Sequence, residues 1–123
     1  MIRVNEVAFI GYPVTDKQRA RDFYEGLFGL TAASSSDFPN GFWIEYDIAG
    51  ATFALSNFWK PSDKVGPCVA FEVDDFPSAV EVLKSKKVTF IDKPFETPVC
   101  FIAVVADPDG NLVTVHKRKP GHG

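Results

Sequence analysis

Glu45, Glu72 and His116 are the side chains of this 123-residue chain best suited to proton transfer or metal binding. One imidazole with two carboxylates can hold a divalent ion or act as an acid–base set. Cys68 adds a thiol to that group. His122 falls in the terminal Lys119-Pro120-Gly121-His122-Gly123 and reads as part of a frayed end. Asp107-Pro108-Asp109-Gly110-Asn111 gathers two carboxylates, but its residue types are those of a tight turn. Asp16, Asp74 and Asp75 stand at predicted helix starts, where a short acidic side chain caps free N–H groups. The chain has no Gly-rich phosphate loop and no Ser nucleophile elbow.

The elements that must position these residues can be read in order. Val7–Tyr12 is a nearly continuous apolar run before Pro13 and predicts a strand covered on both faces. Thr15 and Gln18 have the spacing of a capping box. Ala20, Phe23, Tyr24, Leu27 and Phe28 then form one apolar helix face, stopped at Gly29 with Leu30 as its packing partner. The stretch 31–41 is rich in Ser, Asp, Pro and Gly and reads as a loop with at most a short strand near Thr31–Ala33. Phe42–Ile48 and Ala51–Phe58 are strands around the turn Ala49-Gly50. Cys68–Val73 is a further strand, and Asp74-Asp75 with Pro77 opens a helix carrying Ala79, Val80 and Leu83. Val88–Ile91 reads as a short strand, 92–98 as a loop, and Val99–Ala106 with Leu112–His116 as a closing hairpin.

Twelve Phe, three Tyr and two Trp are many for this length, so the core is aromatic-rich or a pocket is lined with rings. A net charge of −3 argues against nucleic acid, which needs a basic surface. Lys117-Arg118-Lys119 reads as a solvated terminus. The two cysteines, Cys68 and Cys100, read as buried free thiols of a cytosolic protein. With no signal-peptide pattern and no apolar run near the ~20 residues that span a bilayer, the expected location is cytoplasmic, with no membrane partner.

The chain is written twice. Val14 and Asp16 fall on Val73 and Asp75, Ala20 on Ala79, Phe23 on Val82 and Tyr24 on Leu83. With one residue inserted, Gly50 falls on Gly110 and Leu55 on Val115. Each half reads strand–helix–strand–strand–strand. The expected fold is α+β, with two βαβββ modules, a curved sheet in each, forming a half-open barrel whose concave interior is a ligand site. The expected divisions are a first module over 1–60, a linker over 61–67, a second module over 68–117 and a basic tail over 118–123, all one structural domain.

Three segments carry a family resemblance. They are Tyr12-Pro13-Val14-Thr15-Asp16 through Ala20, Phe23-Tyr24 and Leu27-Phe28-Gly29-Leu30; Val69-Ala70-Phe71-Glu72-Val73-Asp74-Asp75; and Ala106-Asp107-Pro108-Asp109-Gly110-Asn111-Leu112-Val113. In that order and spacing the chain resembles the vicinal oxygen chelate superfamily, which contains glyoxalase I, bleomycin-resistance proteins, fosfomycin-resistance enzymes and extradiol dioxygenases. The resemblance implies the half-open barrel but no single reaction, because the fold hosts several chemistries and pure binding.

In metal-dependent members one divalent ion takes a ligand from each of four strands, mostly His and Glu. The resemblance puts those positions at Phe9, Ala54, Cys68 and Thr114. A phenyl ring and a methyl cannot ligate, the Cys68 thiol could, and the Thr114 hydroxyl ligates only weakly. Shifting each position by one residue gives Ala8 or Ile10, Phe53 or Leu55, Pro67 or Val69, and Val113 or Val115, none of which ligates. The expectation is therefore no metal and no other cofactor. If Phe9 and Cys68 face the concavity, alternation brings Gly11, Ala70 and Glu72 with them, and His116 with Thr114. A two-residue turn at Ala49-Gly50 puts Ala54 opposite Glu45 and Ser56 opposite Trp43.

The expected cleft is thus Phe9, Trp43, Glu45, Ala54, Ser56, Phe58, Cys68, Glu72, Thr114 and His116, with Phe38 or Trp59 as a further ring. Stacking surfaces beside acidic groups suit a small aromatic or cationic molecule. The resemblance implies a homodimer of the bleomycin-resistance kind that sequesters its ligand. One alternative is a lyase, isomerase or dioxygenase with a displaced metal on Glu45, Glu72 and His116. Another is a degenerate interaction module whose cleft is closed by side chains.

Overall fold

A computed structural model describes residues 1, 3, 5–62 and 66–121. His122 and positions 63–65 of the predicted linker lie outside the described residues. The elements, in chain order, are β1 (Ile10–Pro13), α1 (Lys17–Arg21) running on as a π-helical turn (Asp22–Leu27), β2 (Ala32–Phe38), β3 (Gly41–Ile48) and β4 (Ala51–Ser56). Then come β5 (Val69–Glu72), α2 (Phe76–Ser85), β6 (Phe90–Glu96), β7 (Cys100–Ala106) and β8 (Leu112–Arg118). The chain divides into two compact units, 1–61 and 62–123. Each is a βαβββ module with one four-stranded mixed sheet, in the order β1-β4-β3-β2 and β5-β8-β7-β6. The same topology in both halves is what the sequence repeat predicts, and the fold is α+β.

In the first module the helix covers one face of the sheet. Phe42, Ile44 and Tyr46 of β3 and Phe53 and Leu55 of β4 are buried on that face. Tyr24 of the helix lies over Phe53, with ring centroids 5.4 Å apart. Period-2 alternation sends Trp43 and Glu45 to the other face. The Ala49-Gly50 turn has φ of 52° and 90° at its two residues, the paired left-handed conformation of a tight hairpin. It fixes the register Glu45↔Ala54 and Trp43↔Ser56 as predicted. In the second module Phe71, Ala103, Val105, Val113 and Val115 are buried with Val80 and Leu83 of α2.

Several boundaries differ from the sequence reading. β1 starts at Ile10 and not at Val7; Val7 is exposed and lies outside the sheet. The cap of α1 is Asp16, whose carboxylate accepts from Arg19 N, and not a Thr15–Gln18 box. Gln18 donates to Asp22 instead. The helix does stop at Gly29, with φ of 67°. Residues 32–38 form a full strand, where a loop with at most a short strand near Thr31–Ala33 is predicted, and the predicted strand Val88–Ile91 is instead Phe90–Glu96, running into the predicted loop. Both are edge strands that pair on one side only, along β3 and β7. Pro94 is tolerated because β6 is bulged between Asp92 and Phe95, so its missing N–H leaves no gap in the ladder. β4 ends at Ser56, two residues before the predicted Phe58. β8 runs to Arg118, and Lys119 N donates to Val99 O, so the basic stretch is sheet and not a solvated tail.

The Asp107–Asn111 turn is built around one buried carboxylate. Asp107 accepts from the backbone N–H of Asp109 and of Asn111 and from the Asn111 side-chain amide. Gly110 sits at φ 84°. Among the described residues no helix is long and apolar enough to cross a membrane.

Candidate functional site

The helix-free face of the first module carries a cluster of three rings. Phe9 meets Trp43 edge-on at 5.3 Å and Trp59 at 6.2 Å, and the two indoles are 5.0 Å apart. Phe9 is still 42% exposed. Its position just before β1 and the parity of Trp43 on β3 place both on this face. Trp59 arrives from the bend after β4, and the reason it fits is Gly11. A Cβ at residue 11 would lie 2.3 Å from Trp59 Cη2, so the benzo edge of the indole rests directly on the glycine backbone. Beside the rings, Glu45 Oε2 accepts the Trp43 indole N–H at 2.8 Å. Its other oxygen has no hydrogen-bond partner among the described residues.

The exit from β4 is held by its own clamp. Ser56 is fully buried; its hydroxyl donates to Phe42 O at 2.7 Å and accepts from Phe58 N at 3.0 Å. Asn57 accepts from Phe42 N. This bend turns Phe58 to Phe38, with rings 5.8 Å apart, and onto the open side of Gly41. The predicted cleft ring Phe58 therefore belongs to a second aromatic pair, and Trp59 is the ring that joins Phe9 and Trp43. Ser56 is a clamp, and Ala54 is a fully buried methyl next to Gly11 and Glu45.

The corresponding face of the second module carries a row of polar groups on and beside β5 and β8, next to Ala70, Ile102 and Val104. Cys68 Sγ and Thr114 Oγ1 share a hydrogen bond at 3.3 Å. Glu72 Oε1 lies 2.6 Å from His116 Nδ1, and Glu72 Oε2 accepts from Arg118 N at 2.7 Å. These bonds, first the one from the Arg118 backbone and then the one from His116, hold the Glu72 carboxyl below its usual pKa. An ionised carboxylate only accepts, so Nδ1 donates in this bond. Cys68 is exposed, contrary to the buried thiol predicted, because it precedes β5. Cys100 is buried and contacts Thr97.

The positions that the resemblance gives to metal ligands do not fit a metal. Phe9 offers a ring packed on two indoles, and Ala54 a methyl. Cys68 and Thr114 offer a thiol and a hydroxyl bonded to each other. Within either module, among the described residues, no three His, Cys, Asp or Glu side chains converge.

One further polar group sits under the first helix. Tyr46 donates to Glu25 Oε2 at 2.8 Å, and Arg21 grips the same carboxylate at 2.7 and 3.1 Å. The Arg21 hydrogen bonds hold the Glu25 carboxyl below its usual pKa. Burial, more than the Glu25 contact, raises the Tyr46 phenol far above its own. A groove of about 560 Å³ runs past Gln18, Arg21, Asp22, Glu25 and Gly26. Its polar side chains already pair with one another, Arg21 with Glu25 and Gln18 with Asp22.

Comparison with known proteins agrees with this architecture. The fosfomycin resistance protein FosX of Listeria monocytogenes has a similar fold, at TM-score 0.80 and 16% identity over 98% of each chain. TnmS3 of Streptomyces sp. CB03234, described as an antibiotic binding protein, superposes at TM-score 0.76 with 24% identity, covering 97% of this chain and 100% of that one. The uncharacterized protein YetH of Bacillus subtilis (strain 168) is 24% identical over 114 residues, 89% of this chain and 95% of its own length. The family model for the Glyoxalase/Bleomycin resistance protein/Dioxygenase superfamily matches residues 3–115, and the chain belongs to that superfamily.

Proposed function

We propose that this chain binds a small aromatic or cationic molecule on the helix-free face of its first module, without the metal that enzymes of the superfamily carry. One observation carries this reading: a solvent-reachable cluster of Phe9, Trp43 and Trp59 lies beside a carboxylate with one oxygen uncommitted among the described residues. Large rings supply stacking area and attract cations to their faces, and a carboxylate rewards a positive or N–H-bearing partner. Phe9, at the place of the first metal ligand, supplies a stacking surface where an enzyme needs a donor. TnmS3, described as antibiotic-binding, is a precedent for binding on this fold.

The test is a titration of protein purified without chelator, using naphthalen-2-ylmethylamine as a planar cationic probe and tryptophan fluorescence as readout. Saturable binding, unchanged by metal removal and lost in Trp43→Ala, is the expected result. No binding, or binding that needs a stoichiometric divalent ion, overturns the reading.

A second reading, an enzyme that transfers a proton, is favoured by the oriented Glu72–His116 pair. Turnover of a substrate that is lost in His116→Ala and kept in Trp43→Ala would replace the binding reading. We also propose a cytoplasmic homodimer. Two free cysteines support a reducing compartment, and exposed Ile91, Phe95 and Val99 on and beside the β6 edge support self-association. A monomer mass by light scattering would rule the dimer out.

A further inference from the structure

We propose that Trp59 is an internal occupant of the binding slot, and that the slot over Gly11, bounded by Phe9 and Trp43, takes a flat bicyclic aromatic carrying a cationic or N–H group. The inference rests on the binding reading above and names the ligand's shape. Three facts lead to it. The benzo edge of the Trp59 indole seats on bare backbone: Cη2, Cζ3 and Cζ2 lie 2.3, 2.7 and 3.0 Å from where a Cβ of residue 11 would be. Only glycine leaves that seat open. The ring also touches both walls, Trp43 at 5.0 Å and Phe9 at 6.2 Å. Carbon contacts are optimal near roughly 3.5–4.0 Å, so three rings at these spacings leave no gap for a fourth. A ligand ring that uses this seat must replace the indole.

Trp59 differs from the two walls in how it is held. Trp43 lies within β3, and its indole N–H is bonded to Glu45. Phe9 directly precedes β1. Trp59 lies past the end of β4, beyond the clamps at Ser56 and Asn57. Standing three residues past β4, it can leave without moving a strand, whereas Phe9 is joined directly to Ile10 of β1. Withdrawal vacates a place with the outline of an indole, and Glu45 stands at its side with one oxygen uncommitted among the described residues. A bicyclic ring system matches the outline, and a protonated amine or N–H matches the oxygen.

Occupancy by Trp59 lowers apparent affinity by the fraction of time the slot is open. Minor states of this kind are populated at roughly 0.1–10%, so removing the indole tightens binding by about tenfold or more. The experiment titrates naphthalen-2-ylmethylamine and its anionic counterpart 2-naphthoate into wild type, Trp59→Ala, Trp59→Ala/Gly11→Val and Trp59→Ala/Glu45→Gln, with circular dichroism as the check on folding. The expected result is tighter binding of the amine to Trp59→Ala, loss when the valine side chain of Gly11→Val fills the seat, and weakening of the amine but not of the naphthoate when Glu45 is neutralised. In the wild-type background Gly11→Val expels the indole and shifts tryptophan emission to the red. If wild type binds the amine through Trp43 and Trp59→Ala binds no tighter, the internal-occupant inference is overturned and the binding reading stands. If neither wild type nor Trp59→Ala binds, both fall.

Discussion

Tyr46→Phe tests the polar link between the first helix and its sheet. Tyr46 is 1% exposed on the helix face of β3, and its hydroxyl donates to Glu25 Oε2 at 2.8 Å. A hydrogen bond to a charged group contributes about 1.5–3 kcal/mol. Two features reduce the loss here. Arg21 still holds both Glu25 oxygens after the substitution, and the Glu25 side chain is 25% exposed, so water can take the vacated lone pair. Phenylalanine also has no hydroxyl to desolvate. The expected net cost is about 1–2 kcal/mol. With a urea m-value of about 2 kcal/mol/M, the unfolding midpoint falls by roughly 0.5–1 M. The assay is urea unfolding followed by far-ultraviolet circular dichroism on wild type, Tyr46→Phe, Glu25→Gln and the double variant. The double variant should lose less than the sum of the singles, because both remove one contact. An unchanged midpoint for Tyr46→Phe, or strictly additive losses, would refute the link.

Four other outcomes follow from the same geometry. Ser56→Ala removes a buried hydroxyl with a bond on each side and should cost about 1–3 kcal/mol in a thermal melt; because the clamp aims the next residues, Trp59 emission should shift as well. Asp107→Ala strips the closing turn of three hydrogen bonds and should cost about 2–4 kcal/mol in chemical unfolding. Gly110→Ala meets no atom within 4 Å but stands at φ 84°, so a loss of about 1–2 kcal/mol by the same measurement is pure backbone strain. Glu72 has a depressed folded-state pKa, so its contribution to stability is present above the ordinary carboxylate pKa and disappears as pH falls through the lower folded value. Glu72→Gln should therefore destabilise at neutral pH and flatten stability against pH below the ordinary carboxylate range, read from melts across an acid series.

The parts legible in the sequence are those where two local rules agree. The Ala49-Gly50 turn and period-2 alternation together fix Glu45 opposite Ala54 and Trp43 opposite Ser56, and the register follows. The helix at Asp16 is marked by its apolar face, so its position survives a mistaken cap. The edge strands β2 and β6 are illegible for a physical reason. Their residues beyond the first are exposed, so Ser34-Ser35-Ser36 and Asp92-Lys93-Pro94 carry no alternation to detect. The π-helical turn at Asp22–Leu27 leaves no compositional mark either. Phe58 reads as a cleft ring because it shares the parity of Ala54 and Ser56. Parity ends where the strand ends, and the bend after Ser56 gives the inward place to Trp59. The signal that points to Trp59 is Gly11, a bare strand residue flanked by Ile10 and Tyr12.

The repeat also bears on how the Glu72–His116 pair should be read. Each module ties the residue after its first strand to its last strand by one backbone bond, Val14 N to Ser56 O at 3.0 Å and Val73 N to His116 O at 2.9 Å. Ser56 and His116 are therefore equivalent positions, and each fastens the exit of its last strand by side-chain bonds. Ser56 holds Phe42 O and Phe58 N. His116 holds Glu72, which in turn holds Arg118 N. A pair that replaces a known structural clamp at the same place in a duplicated scaffold has a structural role before any chemical one. The helix-buried faces of both sheets are mostly apolar, Tyr46 with its bond to Glu25 being a polar exception, and the opposite faces have diverged, into rings around Glu45 in one module and into paired polar groups beside Ala70, Ile102 and Val104 in the other. In the first module the divergence leaves one Glu45 oxygen without a hydrogen-bond partner among the described residues, beside partly exposed rings. In the second both Glu72 oxygens and the Cys68–Thr114 pair are already satisfied. Within the proposed function, ligand recognition is accordingly assigned to the first module, and His116→Ala should lower stability before it alters binding.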